Sequence, residues 1–491
     1  MDHSRAPVLD ALAAFRHRGD VVYGPPGHRQ GRGVDSRTLT ILGEGVFSSD
    51  VLMLNGLDDR RQSEGVLEDA QSLMADAVGA EHAFFSTCGS SLSVKSAMLA
   101  VAGPGEKLLI SRNAHKSVIS GVIVNGTVPI WVHPKFDAGR HLAHPPEPAD
   151  VRRALEAHPD AKGMLLITPT DWGSCADVRG VAAVCHEFDV PLIVDEAWGA
   201  HLPFHDQLPA WGMNADADLV VTSVHKMGGA IEQSSVFHLQ GGRVDPTVLK
   251  QREDLLGTTS ASSLVYASLD GWRRHMVEHG HELMARTIGL AQDARSRLGA
   301  LDGISVMGAE VVDEGYAHET DPLVLTIDVR GLGITGYQAA ELARTRHHVD
   351  FGAADSFRLN ARLTHADDQT SVDVLVSTVE ALRVDARGLG PSGSVDLPDQ
   401  HGLELETAMR PRDAFFAAAE QVDASEAVGR VAAELVTPYP PGVPVLTPGE
   451  VITAQAVEYL QTGVKAGMLI AESADTTMGS FRVVASDAVR S

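Results

Sequence analysis

The chain has 491 residues and a formal charge of −25, with 65 acidic against 40 basic side chains and 44% apolar residues. Single cores stop growing at about 250–300 residues, so two or three domains are expected. The acidic balance argues against a nucleic-acid or anionic-membrane partner; it aids solubility and would also steer cationic substrates inward. Cys88, Cys175 and Cys185 are too few for a disulfide framework and fit a reducing compartment. In "MDHSRAPVLDALAAFRHRGD" charges flank a short amphipathic run. There is no signal-peptide core, and no later segment carries the roughly 18 uninterrupted apolar residues of a membrane span, so a cytoplasmic protein is expected.

From residue 65 helical and strand patterns alternate, the signature of α/β layering on a mostly parallel sheet. "GVLEDAQSLMADAVGA" places Val66, Leu67, Ala70, Leu73, Met74, Ala77 and Val78 at helical spacing and stops at Gly79. The runs "KLLIS", "VPIWVHP", "GMLLIT", "PLIVDEA", "LVVTSVH" and "SSVFHL" are short, apolar and bounded by turn or helix signals, as expected for strands buried on both faces. "DARGLGPSGSVDLPDQHG", residues 385 to 402, reads as a linker to a C-terminal unit.

Three pieces of chemistry fall along these strands. Gly89, Ser90 and Ser91 open a helix whose free N–H groups suit a phosphate, although alone they read better as an ordinary N-cap. Asp195 ends the strand of "PLIVDEAWGAH", where a carboxylate is penalised unless a cation faces it. Lys226, in "VVTSVHKMGGAIEQSSVFHL", closes another buried strand and needs a partner or a job, because its ammonium must otherwise be desolvated. Taken singly, Asp195 is a helix cap and Lys226 a solvated strand end. Together at the carboxyl edge of one sheet, they supply what pyridoxal 5′-phosphate requires: a Schiff-base lysine, an acid on the ring nitrogen and an anion site. No metal is expected.

At this point the chain resembles the ornithine/lysine/arginine decarboxylase family of fold-type-I pyridoxal-phosphate enzymes. The likeness runs through "YGPPGHRQG", "SSDVLMLNGLDDRRQSEGVLEDAQ", "SRNAHKSVISG", "LLGTTSASSLVYASLD" and "TPYPPGVPVLTPGE", the last being the most specific string in the chain. It implies that Lys226 holds the cofactor, that Asp195 keeps the pyridine nitrogen protonated, and that His115 stacks on one ring face while Ala197 packs the other. Gly89, Ser90, Ser91, Trp198, Ser223 and His225 would surround the cofactor, its phosphate or the substrate carboxylate. Lys226 or His225 would return a proton to the substrate. Thr258, Thr259 or Ser260 would complete the site of a neighbouring subunit in a homodimer with shared active sites. Leu92 and Val224 depart from the pattern, standing where many members have a small hydroxyl residue. Asp171-Trp172 is a further departure, on a loop expected near cofactor or substrate. The chain resembles the short class of the family, without a receiver-like domain and the higher assembly that such a domain drives.

The resemblance also implies an architecture. Residues 1–64 form an N-terminal segment at the dimer and active-site entrance, 65–300 a large cofactor domain, 301–390 a small α+β domain and 391–491 a C-terminal decarboxylase-family domain. The reaction implied is decarboxylation of a basic amino acid, arginine before lysine or ornithine, with Asp58, Asp59 and Glu64 as candidates for the cationic side chain. A solvated charged loop is an equal reading of those three acids, and the segment around Glu434 and Glu450 is an alternative source of negative charge. An aminotransferase that uses Arg358 or Arg362 to hold the carboxylate is the enzymatic alternative, although both arginines read better as solvated or ion-paired strand residues. A catalytically silent regulatory homologue is the non-enzymatic one, and the intact Lys226, Asp195 and His115 argue against it.

Overall fold

The computed structural model describes residues 1–52, 65–388, 395–398, 402 and 404–486. The elements that matter for the site are, in chain order, α1 (Pro7–Arg18), α2 (Val66–Val78), β1 (His82–Ser86), α3 (Gly89–Val101), β2 (Lys107–Ser111), α4 (Lys116–Asn125), β3 (Val128–Val132), β4 (Met164–Ile167), β5 (Leu192–Asp195), β6 (Leu219–Ser223), β7 (Ser235–Leu239), α5 (Ser263–Gly299), β8 (Val324–Asp328) and β9 (Arg358–Arg362). The chain divides into two compact units, residues 1–101 with 191–284, and residues 102–190 with 285–491.

In the first unit the strands run in the order β1-β7-β6-β5. β5 and β6 are parallel, whereas β7 runs against both β6 and β1. The reversal follows from connectivity: β7 returns from β6 through residues 224–234 without a crossover helix, and only antiparallel neighbours can be joined so briefly. All residues of β5, β6 and β7 are buried, each large aliphatic side chain contributing about 1.5–3 kcal/mol on leaving water. α2 turns Leu67, Ala70, Leu73, Met74 and Val78 inward and ends on Gly79, whose φ of 70° is the left-handed cap that favours glycine. α1 is fastened to the start of α5: the Val8 amide donates to Asp270 (2.8 Å), and Asp270 forms a fully buried ion pair with Arg273.

In the second unit β4, β2 and β3 are adjacent and parallel, with β2 and β4 formed by the apolar runs "KLLIS" and "MLLI". β8 and β9 pair antiparallel in a separate four-stranded sheet. A C-terminal core gathers Val436, Leu446, Leu460, Met478, Phe481 and Val483 among others. All six strands read from the sequence are present, and three of the five strand pairs among β1 to β7 described here are parallel.

His238 in β7 is fully buried, with Nε2 3.2 Å from the Thr222 hydroxyl and the ring edge-on to Trp211. Burial lowers its pKa from 6.5 to about 3. Below pH 6.5 the unfolded chain takes up a proton that the native imidazole refuses until about pH 3. The stability contribution is therefore complete above pH 6.5 and is lost as pH falls through that window, by at most about 1.4 kcal/mol per pH unit. In urea titrations between pH 6.5 and 5, His238→Gln should lose stability less steeply than the wild type. Identical slopes would show that His238 does not set the acid limit.

Candidate active site

The β6–β7 connection is the centre of the site in the first unit. Ser223, the last residue of β6, is paired in register with Ser235, which is paired in turn with Ser86 of β1, so one row of serines crosses three strands. These hydroxyls hold the start of α3: Ser223 Oγ donates to Ser90 Oγ at 2.5 Å, and the Ser93 and Ser235 hydroxyls lie 2.9 Å apart. The Gly89 amide donates to the Gln233 carbonyl, which ties the entrance of the 13-residue helix to the same connection. Gly89 has φ 74°, a left-handed turn that delivers the first helical amides to the strand edge. Ser90 is half-buried and Ser91 is exposed.

Lys226 lies in the one-turn helix Val224–Met227 directly after β6. Its Nζ is 4.1 Å from the centroid of the Trp198 ring, an aromatic face that receives the ammonium. Gly228 ends the turn where a side chain would strike the Val224 carbonyl and, at 3.0 Å, the Trp272 ring, so only glycine leaves this turn without a shift. His225 turns its Nδ1 to the Ser234 carbonyl at 3.0 Å. A carbonyl only accepts, so Nδ1 carries the proton and Nε2 is left with the lone pair. Burial is the largest influence on this imidazole and holds its pKa below the usual value, with the Lys226 charge acting in the same direction.

Asp195 is the buried last residue of β5, paired with Val221 of β6, and its Oδ1 accepts from the Ala197 amide at 3.3 Å. Ala197 is half-buried, and its carbonyl accepts from the Ser223 amide at 3.4 Å. The next residue, Glu196, is buried and accepts from the Gly212 amide at 3.3 Å. Burial drives its pKa well above the usual carboxylate range, and repulsion from Asp195 adds to this. Thr258, Thr259 and Ser260 occupy an exposed loop before α5, where the Ser260 amide donates to Thr258 Oγ1 at 3.1 Å. Leu92 is half-buried and Val224 buried, so neither offers a hydroxyl.

His115 belongs to the second unit, where it caps α4: its Nδ1 accepts from the Ser117 amide at 3.2 Å and lies 2.9 Å from the Ser117 hydroxyl. In the same unit a cavity of about 270 Å³ opens at the carboxyl ends of β2, β3 and β4, bordered by Arg112, His133, Asp171, Trp172 and Glu404. Arg358, which stacks 5.3 Å from the Trp172 ring, is held by Asp355 and by the carbonyls of Arg140 and His141. Arg362 donates to the Asp171 carbonyl at 2.6 Å. Both arginines are buried or nearly so and ion-paired rather than solvated. Glu434 accepts from the Ala474 and Arg482 amides, and Glu450 pairs with Arg112. Asp58, Asp59 and Glu64 lie outside the described residues. The serine row through Ser235 and Ser93 was not read from the sequence; the signal available was hydroxyl residues interrupting otherwise apolar strands.

A lysine amine, a carboxylate and a hydroxyl-lined helix start at one strand edge fit a ligand that has a carbonyl, a basic ring nitrogen and a phosphate, and pyridoxal 5′-phosphate joins the three. The class is that of fold-type-I pyridoxal-phosphate enzymes. Within it, the Orn/Lys/Arg decarboxylase major domain matches residues 6–336 and the C-terminal domain of the same family matches residues 399–468. The chain belongs to this family. It is 37% identical to an arginine decarboxylase of Bacillus subtilis over 490 residues, 99% of each chain, and 36% identical to an arginine decarboxylase of Halalkalibacterium halodurans over 98% of each. The fold matches the lysine decarboxylase of Francisella novicida with a TM-score of 0.81 at 18% identity, over 98% of this chain and 81% of that one. The chain is therefore a pyridoxal-phosphate enzyme that decarboxylates a basic amino acid, as the resemblance implied. Among the described residues no helix is long and apolar enough to cross a membrane.

Proposed function

We propose that the protein is an arginine decarboxylase, which releases CO₂ from L-arginine to give agmatine, and that it works as a cytoplasmic homodimer. The observation that carries the substrate choice is the 36–37% identity to arginine decarboxylases along essentially the whole chain. The second unit's cavity supports it, since Asp171, Asp355 and Glu404, which border it together with Arg112 and Arg358, offer carboxylates to a guanidinium. Exposed Val21, Tyr23, Ile41 and Leu42 in the N-terminal segment support burial against a second copy. The exposed Thr258–Ser260 loop is suited to reach that copy's phosphate site. The four-part division into residues 1–64, 65–300, 301–390 and 391–491 is part of the same reading.

In this reading Gly89, Ser90, Ser91 and Ser223 hold the cofactor phosphate. Lys226 carries the cofactor through its amine, Ala197 and Trp198 line its ring, and His115 stacks on it. When bound, the cofactor supplies an electron sink for the bond broken at the substrate's α-carbon. Asp195 keeps a positive charge on the ring nitrogen. His225, neutral and protonated at Nδ1, offers only an acceptor at Nε2, so the proton returned to the α-carbon comes from the Lys226 ammonium. Transamination would call for an arginine clamp on the substrate carboxylate, and both arginines considered for it are engaged elsewhere, Arg358 by Asp355 and Arg362 by the Asp171 carbonyl.

Separate incubations of the purified protein and pyridoxal phosphate with arginine, lysine and ornithine, read by mass spectrometry, test the substrate. Agmatine formed fastest is the expected result. Faster cadaverine or putrescine formation would reassign the substrate, and keto-acid formation would reassign the reaction.

A further inference from the structure

The most specific string in the sequence, "TPYPPGVPVLTPGE", has no task in the chemistry described so far. In the second unit it is laid along residues 112–116, the segment that leaves β2 and presents His115 at the start of α4. The buried Arg112 guanidinium donates to the Pro444 carbonyl at 3.0 Å and to both carboxylate oxygens of Glu450 at 3.1 and 3.2 Å. Glu450 Oε2 also accepts from the Thr447 amide at 2.8 Å, which fixes the carboxylate. On the other side of His115, the Lys116 amide donates to the Gly442 carbonyl at 2.8 Å, and the Lys116 ammonium pairs with Glu472 and lies 4.8 Å from the centroid of the Tyr439 ring. His115 is thus flanked on one side by a side chain, Arg112, and on the other by a main-chain amide, Lys116, both held by one run of residues more than 300 positions away.

The imidazole itself is held at two edges. Ser117 occupies Nδ1, and the opposite edge faces Gly442, where an added Cβ would stand 2.9 Å from both Cδ2 and Nε2 and 3.1 Å from the Tyr439 ring. Gly442 also has φ 93°, a conformation costly for any residue with a side chain. Strain and close approach are independent reasons for glycine at this position, and the second concerns the His115 imidazole first, with the Tyr439 ring beside it.

We propose that Gly442, within the Tyr439–Glu450 run, is a positioning residue for the decarboxylase reaction, setting the plane of the His115 imidazole. The proposal rests on the reading that His115 stacks on the cofactor. The C-terminal domain in this view takes part in building the active centre.

The test uses full-length holoenzyme and reads the visible circular dichroism of the bound cofactor, the pyridoxal-phosphate dissociation constant and kcat separately from KM. Gly442→Ala should change the dichroism per bound cofactor and lower kcat, by up to about 100-fold, because displacing a positioned group by an ångström costs that much. Gly429→Ala is the control: it carries the same backbone strain, φ 82°, with open space around the added Cβ, and should leave the cofactor signal as in the wild type. Tyr439→Leu, at a partly exposed site that tolerates change, should shift the signal in the same direction if Gly442→Ala does not fold. His115→Ala separates the two readings. If it leaves the cofactor dichroism untouched, stacking by His115 is wrong and the proposal falls with it. If His115→Ala alters the signal while Gly442→Ala, or Tyr439→Leu in its place, matches the wild type, stacking stands and positioning by the C-terminal run is overturned.

Discussion

Lys226→Ala should abolish covalent attachment of pyridoxal phosphate and reduce decarboxylation by at least about 10²–10⁴-fold, the share that a positioned proton-transfer group ordinarily supplies. The expectation is this large because the side chain has two tasks, holding the cofactor and returning a proton, and no neighbour can assume either. His225 is the adjacent titratable group, but its Nδ1 proton is committed to the Ser234 carbonyl and burial keeps the ring neutral. It can accept a proton at Nε2 but has none there to give. Structural damage should be slight, since Lys226 is half-buried against the face of Trp198 and outside the apolar core. The measurement is the visible absorbance of the cofactor after gel filtration, together with single-turnover product formation. A variant that keeps the covalent absorbance, or that turns over at the normal rate, would remove Lys226 from the site. Adding a small primary amine should restore part of the activity if the missing group is the amine itself.

How much of this was legible in the sequence depended on whether the decisive contact is local. The six apolar strands could be read because strands covered on both faces leave continuous apolar runs, although β3 is only half-buried over residues 128–131, and the start of α3, Asp195 and Lys226 fall at strand edges where such runs stop. β1 escaped notice: "HAFFS" begins with an exposed histidine and runs into Ser-Thr-Cys-Gly, and only its pairing with β7 makes it a strand. Arg358 and Arg362 were open to two readings because the answer lies in their partners. Asp355 is only three residues from Arg358, but the carbonyls of Arg140 and His141 are brought in by tertiary packing. Glu450 stood among candidate acids for a cationic substrate, and its actual partner, Arg112, is 338 residues away. The Tyr-Pro-Pro-Gly run illustrates the same limit. Its rarity marks it as specific, but only the fold shows that Gly442 lies against His115.

Asp195→Ala should have the second-largest effect and a different signature. The variant should still bind the cofactor through Lys226, because the helix start, Ser90 and Ser223 are untouched, while kcat falls by about 10²–10³-fold, the usual loss when one preorganised electrostatic partner is removed. Of the two adjacent carboxyls Glu196 is the more deeply enclosed, and burial, which persists when Asp195 is removed, holds its pKa well above the usual carboxylate range, so it is a poor replacement for the charge lost from its neighbour. Without Asp195 the ring nitrogen loses the anion that favours its protonated form, and the electron sink weakens even though the cofactor stays in place. Cofactor occupancy and kcat, measured on the same preparations, separate these effects. Unchanged kcat at full occupancy would contradict the role of Asp195, and lost occupancy would move it from tuning the ring to holding it.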